Sequence, residues 1–192
     1  MTDQATTTAV EQDVVDVLLG QHMLIRDLFT EVEAATGKAR KDAFGRLVTL
    51  LAVHETAEEQ VVHPLARTAM DGGDEVVADR LAEEHEAKEL LSRLEDMGPD
   101  AEGFPALLAE LRQAVLAHAH HEEAYEFRYL RRNVDPARLR GLATLLKAAE
   151  AVAPTHPHPG VESAKANLAV GPVASMFDRA KDLVRQAMSK QE

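Results

Sequence analysis

Cysteine is absent from the 192 residues, which excludes disulfides, thiolate metal sites and thiol catalysis. Tryptophan is absent too, and aromatic residues make up only 4%. Basic residues are scarce: 21 Lys and Arg stand against 33 Asp and Glu, for a formal charge of −12. That balance argues against nucleic acid as a partner, because a phosphate-binding surface needs clustered cations. No apolar run approaches the roughly 18–20 residues of a membrane helix, and Met1 to Ala9 has neither the charge nor the apolar stretch of a leader. A soluble cytoplasmic protein without a strong membrane anchor is the expectation. Period-2 alternation is also missing, so strands are not expected.

What remains is rich in Ala and Leu, with 45% hydrophobic residues, and reads as all-α. The pattern predicts an antiparallel up-down-up-down four-helix bundle with an additional helical appendage at the C-terminal end. Thr8 and Glu11 can form a capping box, and a first helix runs from there to about Thr36, its stripe holding Val15, Leu18, His22, Ile25 and Phe29. A second begins near Lys38 and carries Phe44, Leu47, Leu51, His54 and Glu58. Pro64 is expected to kink or end it, with Gly72-Gly73 as its stop. A third spans about Asp74 to Met97, with Val77 and Leu81 on the face of His85. The fourth occupies the run from Ala106 to Val134, free of Pro and Gly. The expected organisation is a disordered 1–8, a bundle over 9–133, an additional helix at 134–153, a Pro/His linker at 154–160 and an amphipathic segment at 161–192.

Two elements repeat: His54-Glu-Thr-Ala-Glu58-Glu59 and His118-Ala-His-His-Glu122-Glu123. Four residues on a helix return to one face, so each His projects beside its Glu. The steps from His22 to His54, His85 and His118 are 32, 31 and 33 residues, which in an up-down-up-down bundle sets all four at one height. Four imidazoles and two carboxylates left unpaired inside an apolar bundle cost several kcal/mol each, about the penalty that metal binding removes. Six donors exceed a four-coordinate zinc site. Without thiolate, the set His22, His54, Glu58, His85, His118 and Glu122 suits two irons, with Glu58 and Glu122 as bridges and a solvent-derived oxygen between the ions. Glu55, Glu59 and Glu123 read as solvated or supporting carboxylates, and His63, His120 and His121 as surface or supporting groups. Tyr125 lies within reach as a hydrogen-bond donor, Glu89 stands one turn after His85, and His156 and His158 belong to the linker.

With these residues in place, the chain resembles the hemerythrin-like, or HHE cation-binding, domain. His22-Met-Leu-Ile-Arg26-Asp27-Leu-Phe29 and Glu58-Glu59 followed by Pro64 are similar to that family's local patterns, and the likeness covers about residues 10–133. The resemblance implies a four-helix bundle around a non-heme di-iron centre. Oxygen-carrying hemerythrins have a second His where this chain has Glu89, and a His-x-x-x-x-Asp on the fourth helix where it has His-x-x-x-Glu. Reversible oxygen carriage is therefore not the expectation. The implied partner is a small oxidant, O2, H2O2 or NO, in oxidative or nitrosative stress handling, with turnover of a catalase-like kind left open and no catalytic residue assigned. Two other readings stand beside it: an iron or oxygen sensor signalling through its C-terminal segment, with or without a homodimer, and a metal-free structural bundle.

Overall fold

The structure, a computed structural model, describes residues 12–156. The Thr8–Glu11 cap, the 1–8 stretch and the 161–192 segment lie outside them, as does the linker beyond His156. Helix α1 (Val14–Ala34) is followed by α2 (Gly37–Ala69), α3 (Gly73–Met97) and α4 (Phe104–His121). A single π-helical turn, Glu122–Glu126, then leads into α5 (Phe127–Asn133), and α6 (Pro136–Glu150) follows.

Each boundary has a local cause. The side chain of Asp13 accepts from the Asp16 amide at 2.8 Å, and Asp16 returns the contact to the Asp13 amide at 3.0 Å, closing a capping box at the start of α1. Gly72 turns the chain at a φ of 70°, a conformation that side chains with a Cβ resist. Beside it, a Cβ on Gly73 would run into the Ala66 carbonyl oxygen and come within 2.9 Å of the Arg67 Cα, so α3 leaves α2 at close quarters. Asp135 caps α6 by accepting from the amides of Ala137 and Arg138 at 2.8 and 3.2 Å. The expectation that Pro64 ends α2 is corrected: the helix runs on to Ala69. Pro64 is exposed, while Val61, Val62, Leu65 and Ala66 around it are buried, and that packing outweighs the one donor that proline lacks.

Short connections make α1 to α4 antiparallel neighbours: α1 packs on α2, α2 on α3, α3 on α4, and α4 back on α1. The apolar interior divides into two halves along the bundle. One gathers Ile25, Phe29, Leu47, Leu51, Leu91, Leu94, Phe104, Leu108 and Leu111, with Phe44 set edge-on to Phe104 at 5.1 Å. The other gathers Val15, Leu18, Ala57, Val62, Leu65, Phe127 and Leu130, and α6 adds Leu139, Ala143 and Leu146 to it from its seat on α1 and α2. The helix at 136–150 thus shares the core of the bundle. Between the halves lies a layer of buried His and Glu.

Candidate metal centre

Each helix delivers its polar residue to this layer by replacing one apolar position in its buried stripe. On α1, His22 follows Leu18 and precedes Ile25; on α2, His54 and Glu58 stand between Leu51 and Val62. On the fourth strut, His118 follows Val115, and Glu122 and Glu126 follow His118. His22, His54, Glu58 and Glu122 are all at most 3% exposed, and their ligand atoms lie within 4.8 Å of one another. A second set, Glu58, Glu84 and His118, meets the same limit and shares Glu58 with the first.

The sequence expectation places His85 on α3 in this layer, and the structure corrects it. The buried face of α3 is Val77, Arg80, Glu84, Ala87, Leu91 and Leu94, a 3-4-3-4-3 spacing. One residue is about 100° of helix rotation, so His85 turns out of the layer. Its side chain is 44% exposed and stands 3.4 Å from Glu89. Glu84, 1% exposed, holds the position that His85 was expected to fill. Tyr125 is also corrected: it is 53% exposed on the outer side of the π turn.

The three buried imidazoles share one design. Nδ1 of His22 faces Glu123 Oε1 at 2.9 Å, and Arg26 donates to that same oxygen. Nδ1 of His54 faces Gln21 Oε1 at 2.7 Å, and the Gln21 amide nitrogen donates to Glu150 of α6. Nδ1 of His118 faces Glu83 Oε2 at 3.1 Å, with Arg80 and His121 also on the Glu83 carboxylate. An oxygen acceptor at Nδ1 keeps the proton there and turns the Nε2 lone pair inward, which is how outer partners orient metal-bound His. Gln21 and Glu83 are invisible as functional residues in the sequence, where only their position one residue before an inward-facing residue sets them apart.

The inward-facing atoms lack partners. Nε2 of His22 and of His118, both oxygens of Glu58, Glu122 and Glu126, and Oε2 of Glu84 are buried without a hydrogen bond from the protein. Nε2 of His22, His54 and His118 stand 3.3, 3.4 and 3.5 Å from oxygens of Glu122, Glu58 and Glu122. These separations are long for hydrogen bonds. They match two donors held about 2.1 Å from one ion at about 110°, which lie about 3.4 Å apart. Buried unpaired polar atoms are costly, and so many on one point fit a bound divalent cation.

Charge in the layer is divided unevenly. Burial raises Glu58 well above the usual carboxylate range, and the facing Glu122 adds to the effect. Burial also opposes ionisation of Glu122, but the imidazoles of His118 and His22 outweigh it and hold that carboxyl down to about 2. Burial pushes His54 down to about 3, which keeps it a neutral lone-pair donor. For His118, burial is overcome by Glu122 and the Glu83 hydrogen bond, which raise it to about 10. A proton on His118 occupies the place a cation would take, so metal binding releases it.

Beside the centre lies a buried charged cluster. Lys88, 5% exposed, reaches Glu84 at 3.7 Å and Glu55 at 3.9 Å, and pairs with Glu59. His63, buried to 2%, meets Glu84 at 2.6 Å through Nε2. Glu55, Glu59 and His63 therefore belong to the interior, in place of the solvated or surface roles the sequence suggests. The one ammonium cannot balance three carboxylates: burial raises Glu55 to about 8 and Glu59 to about 7, whereas His63, His118 and Lys88 overcome burial to keep Glu84 ionised. On another side, a cavity of about 10 Å³ is lined by Ile25, Leu51, Ala87 and Val115 together with His22 and His118. That is about the room for one water-sized molecule.

Comparison with known proteins converges on this layer. The family model described as "Hemerythrin HHE cation binding domain" matches residues 13–130. A protein of Nostoc described as a DNA nickase is 28% identical over 141 residues, 73% of this chain, and the match spans 40% of that protein's length. An uncharacterized hemerythrin-like protein of Schizosaccharomyces pombe is 24% identical over 179 residues, 92% of this chain and 87% of its own. The crystal structure of a hemerythrin HHE cation-binding domain-containing protein from Mycobacterium kansasii superposes with a TM-score of 0.65 at 18% identity, covering 88% of this chain and 99% of that one.

Proposed function

The chain belongs to the hemerythrin HHE cation-binding domain family, and from that premise we propose that it is a non-heme di-iron protein that reacts with a small oxidant, O2, H2O2 or NO. The observation that carries the reading is the set of partnerless inward atoms on His22, Glu58, Glu84, His118 and Glu122. His22 and His54 serve one ion and His118 and Glu84 the other, with Glu58 and Glu122 shared. Iron bound here supplies Lewis acidity and a change of redox state.

The protein's own contribution is to shape access and hold protons. Ile25, Leu51, Ala87 and Val115 give the small cavity beside the His residues an apolar wall, which favours a small uncharged guest over a hydrated ion. Glu83, Gln21 and Glu123 hold the three imidazoles in one tautomer, so that each Nε2 is ready without reorganisation. An oxidative or nitrosative stress role follows from the oxidant. Stopped-flow mixing of the ferrous-loaded protein with H2O2, and separately with NO, tests the reading. Faster consumption of at least one than by the same iron in buffer is the expected result; equal rates for both contradict it.

A sensor role has one supporting observation, the hydrogen-bond chain from His54 through Gln21 to Glu150 near the end of α6. Altered metal occupancy would be felt at that helix. Hydrogen exchange of α6 amides with and without iron separates this reading from simple reactivity. DNA nicking stays with the Nostoc relative, since a chain of net charge −12 lacks the cationic excess that phosphate binding uses.

A further inference from the structure

The π turn at Glu122–Glu126 sits on the metal layer, and its last residue has no role so far. Residues four apart on an α-helix overshoot a full turn by about 40°, so an α-helical His118, Glu122 and Glu126 would drift around the axis by about 80°. A turn closed by i→i+5 bonds rotates less per residue and takes up part of that drift. Glu126 is accordingly 1% exposed, and neither of its oxygens has a hydrogen bond. Its cationic neighbour is Arg80, with Nε 3.6 Å from Oε1, beyond hydrogen-bonding range. Glu126 also lies close enough to Glu58, Glu122, His63 and His118 to act on them electrostatically. A carboxylate buried this deeply without a donor is expensive unless something cationic meets it.

We propose that Glu126 and Glu84 make the half of the centre around His118 oxygen-rich, so that the two halves select different ions. This deepens the di-metal reading of the same site and rests on it. The half at His22 and His54 has two nitrogens with Glu58 and Glu122. The half at His118 has one nitrogen, the shared Glu58, and Glu84 and Glu126. Imidazole-rich sites favour zinc and iron, whereas carboxylate-rich ones suit harder ions such as manganese. The second half therefore takes a hard divalent cation in preference to zinc.

Full-length metal-free protein is first given one equivalent of Zn2+, then titrated with Mn2+ while the paramagnetic resonance signal of unbound Mn2+ is followed. The expected result is one Mn2+ bound per chain, with the Zn2+ retained. Glu126→Gln and Glu84→Gln each weaken that Mn2+ binding at least tenfold and leave the Zn2+ in place, the retained Zn2+ showing that the fold and the nitrogen-rich half are intact. Unchanged Mn2+ affinity in Glu126→Gln overturns the assignment of Glu126. Failure of the Zn2+-loaded wild type to take Mn2+ overturns the division into unlike halves. Failure to bind even the first Zn2+ would remove the metal reading itself, and the inference with it.

Discussion

His22, His54 and His118 show how one residue type is made into a ligand by what stands behind it. Each gives Nδ1 to an oxygen on Glu123, Gln21 or Glu83 and leaves Nε2 to the interior. Gln21→Leu removes the acceptor from His54, and the expected loss is about 10- to 100-fold in metal affinity, read by competition with a chelating dye. The position on α3 gives a sharper prediction. Glu84→Ala loses one ion per chain by elemental analysis, and His85→Ala keeps the full complement. The reverse result would restore His85 to the site. Five of the six residues expected from the sequence converge: the His-x-x-x-Glu pairs carry their own spacing, and His22 stands in an unbroken apolar stripe. For His85 the sequence offers two faces, Val77-Leu81-His85 and Val77-Arg80-Glu84, and the first looks more hydrophobic. The second wins because Arg80 and Lys88 are buried against carboxylates that only the fold assembles.

The elements were mostly legible, with boundaries off by a few residues, because four amphipathic runs are separated by Gly and Pro. Two features were not. The π turn leaves no mark in a run of ordinary helix formers, since what it serves is the alignment of Glu126 with a site formed by other helices. The passage of α2 through Pro64 depends on burial on both sides of the ring, which the local sequence cannot show. The α2–α3 junction is the tightest in the fold, and Gly73→Ala is expected to destabilise the protein by about 1–3 kcal/mol, because the added Cβ meets backbone that cannot yield. Asp135→Ala is expected to cost about 1 kcal/mol through the lost cap of α6. Urea denaturation measures both. A Gly73→Ala protein as stable as the parent would show that α3 can move away from α2.

For the whole molecule, the layer between the two apolar halves sets an opposition between folding and metal binding. Burial raises Glu55 to about 8 and Glu59 to about 7 in the folded chain, above an unfolded carboxyl near 4.5. Groups raised in this way add stability below the unfolded value and lose it as pH rises through the folded one. His118, raised to about 10, loses its contribution over the same side of neutrality. His54, lowered to about 3, works in the other direction, but only below its unfolded value of 6.5. Between pH 6.5 and 8 the metal-free protein is therefore expected to lose stability with rising pH, each proton released on unfolding less than on folding contributing about 1.4 kcal/mol per unit. The loaded protein gains relative to it, because ligands must lose protons to bind. Chelated and loaded samples melted across this range test the claim, and parallel curves would contradict it. Among the described residues no helix is long and apolar enough to cross a membrane, so this balance is set in the interior of the bundle itself.

The central claim is that the His and Glu layer holds two irons, and the most direct measurement is iron per chain after anaerobic ferrous reconstitution and removal of unbound metal. Two irons in the wild type and at most one in Glu58→Ala, the carboxylate common to both groups of donors, is the predicted result. No retained iron in the wild type, or two in Glu58→Ala, would contradict it.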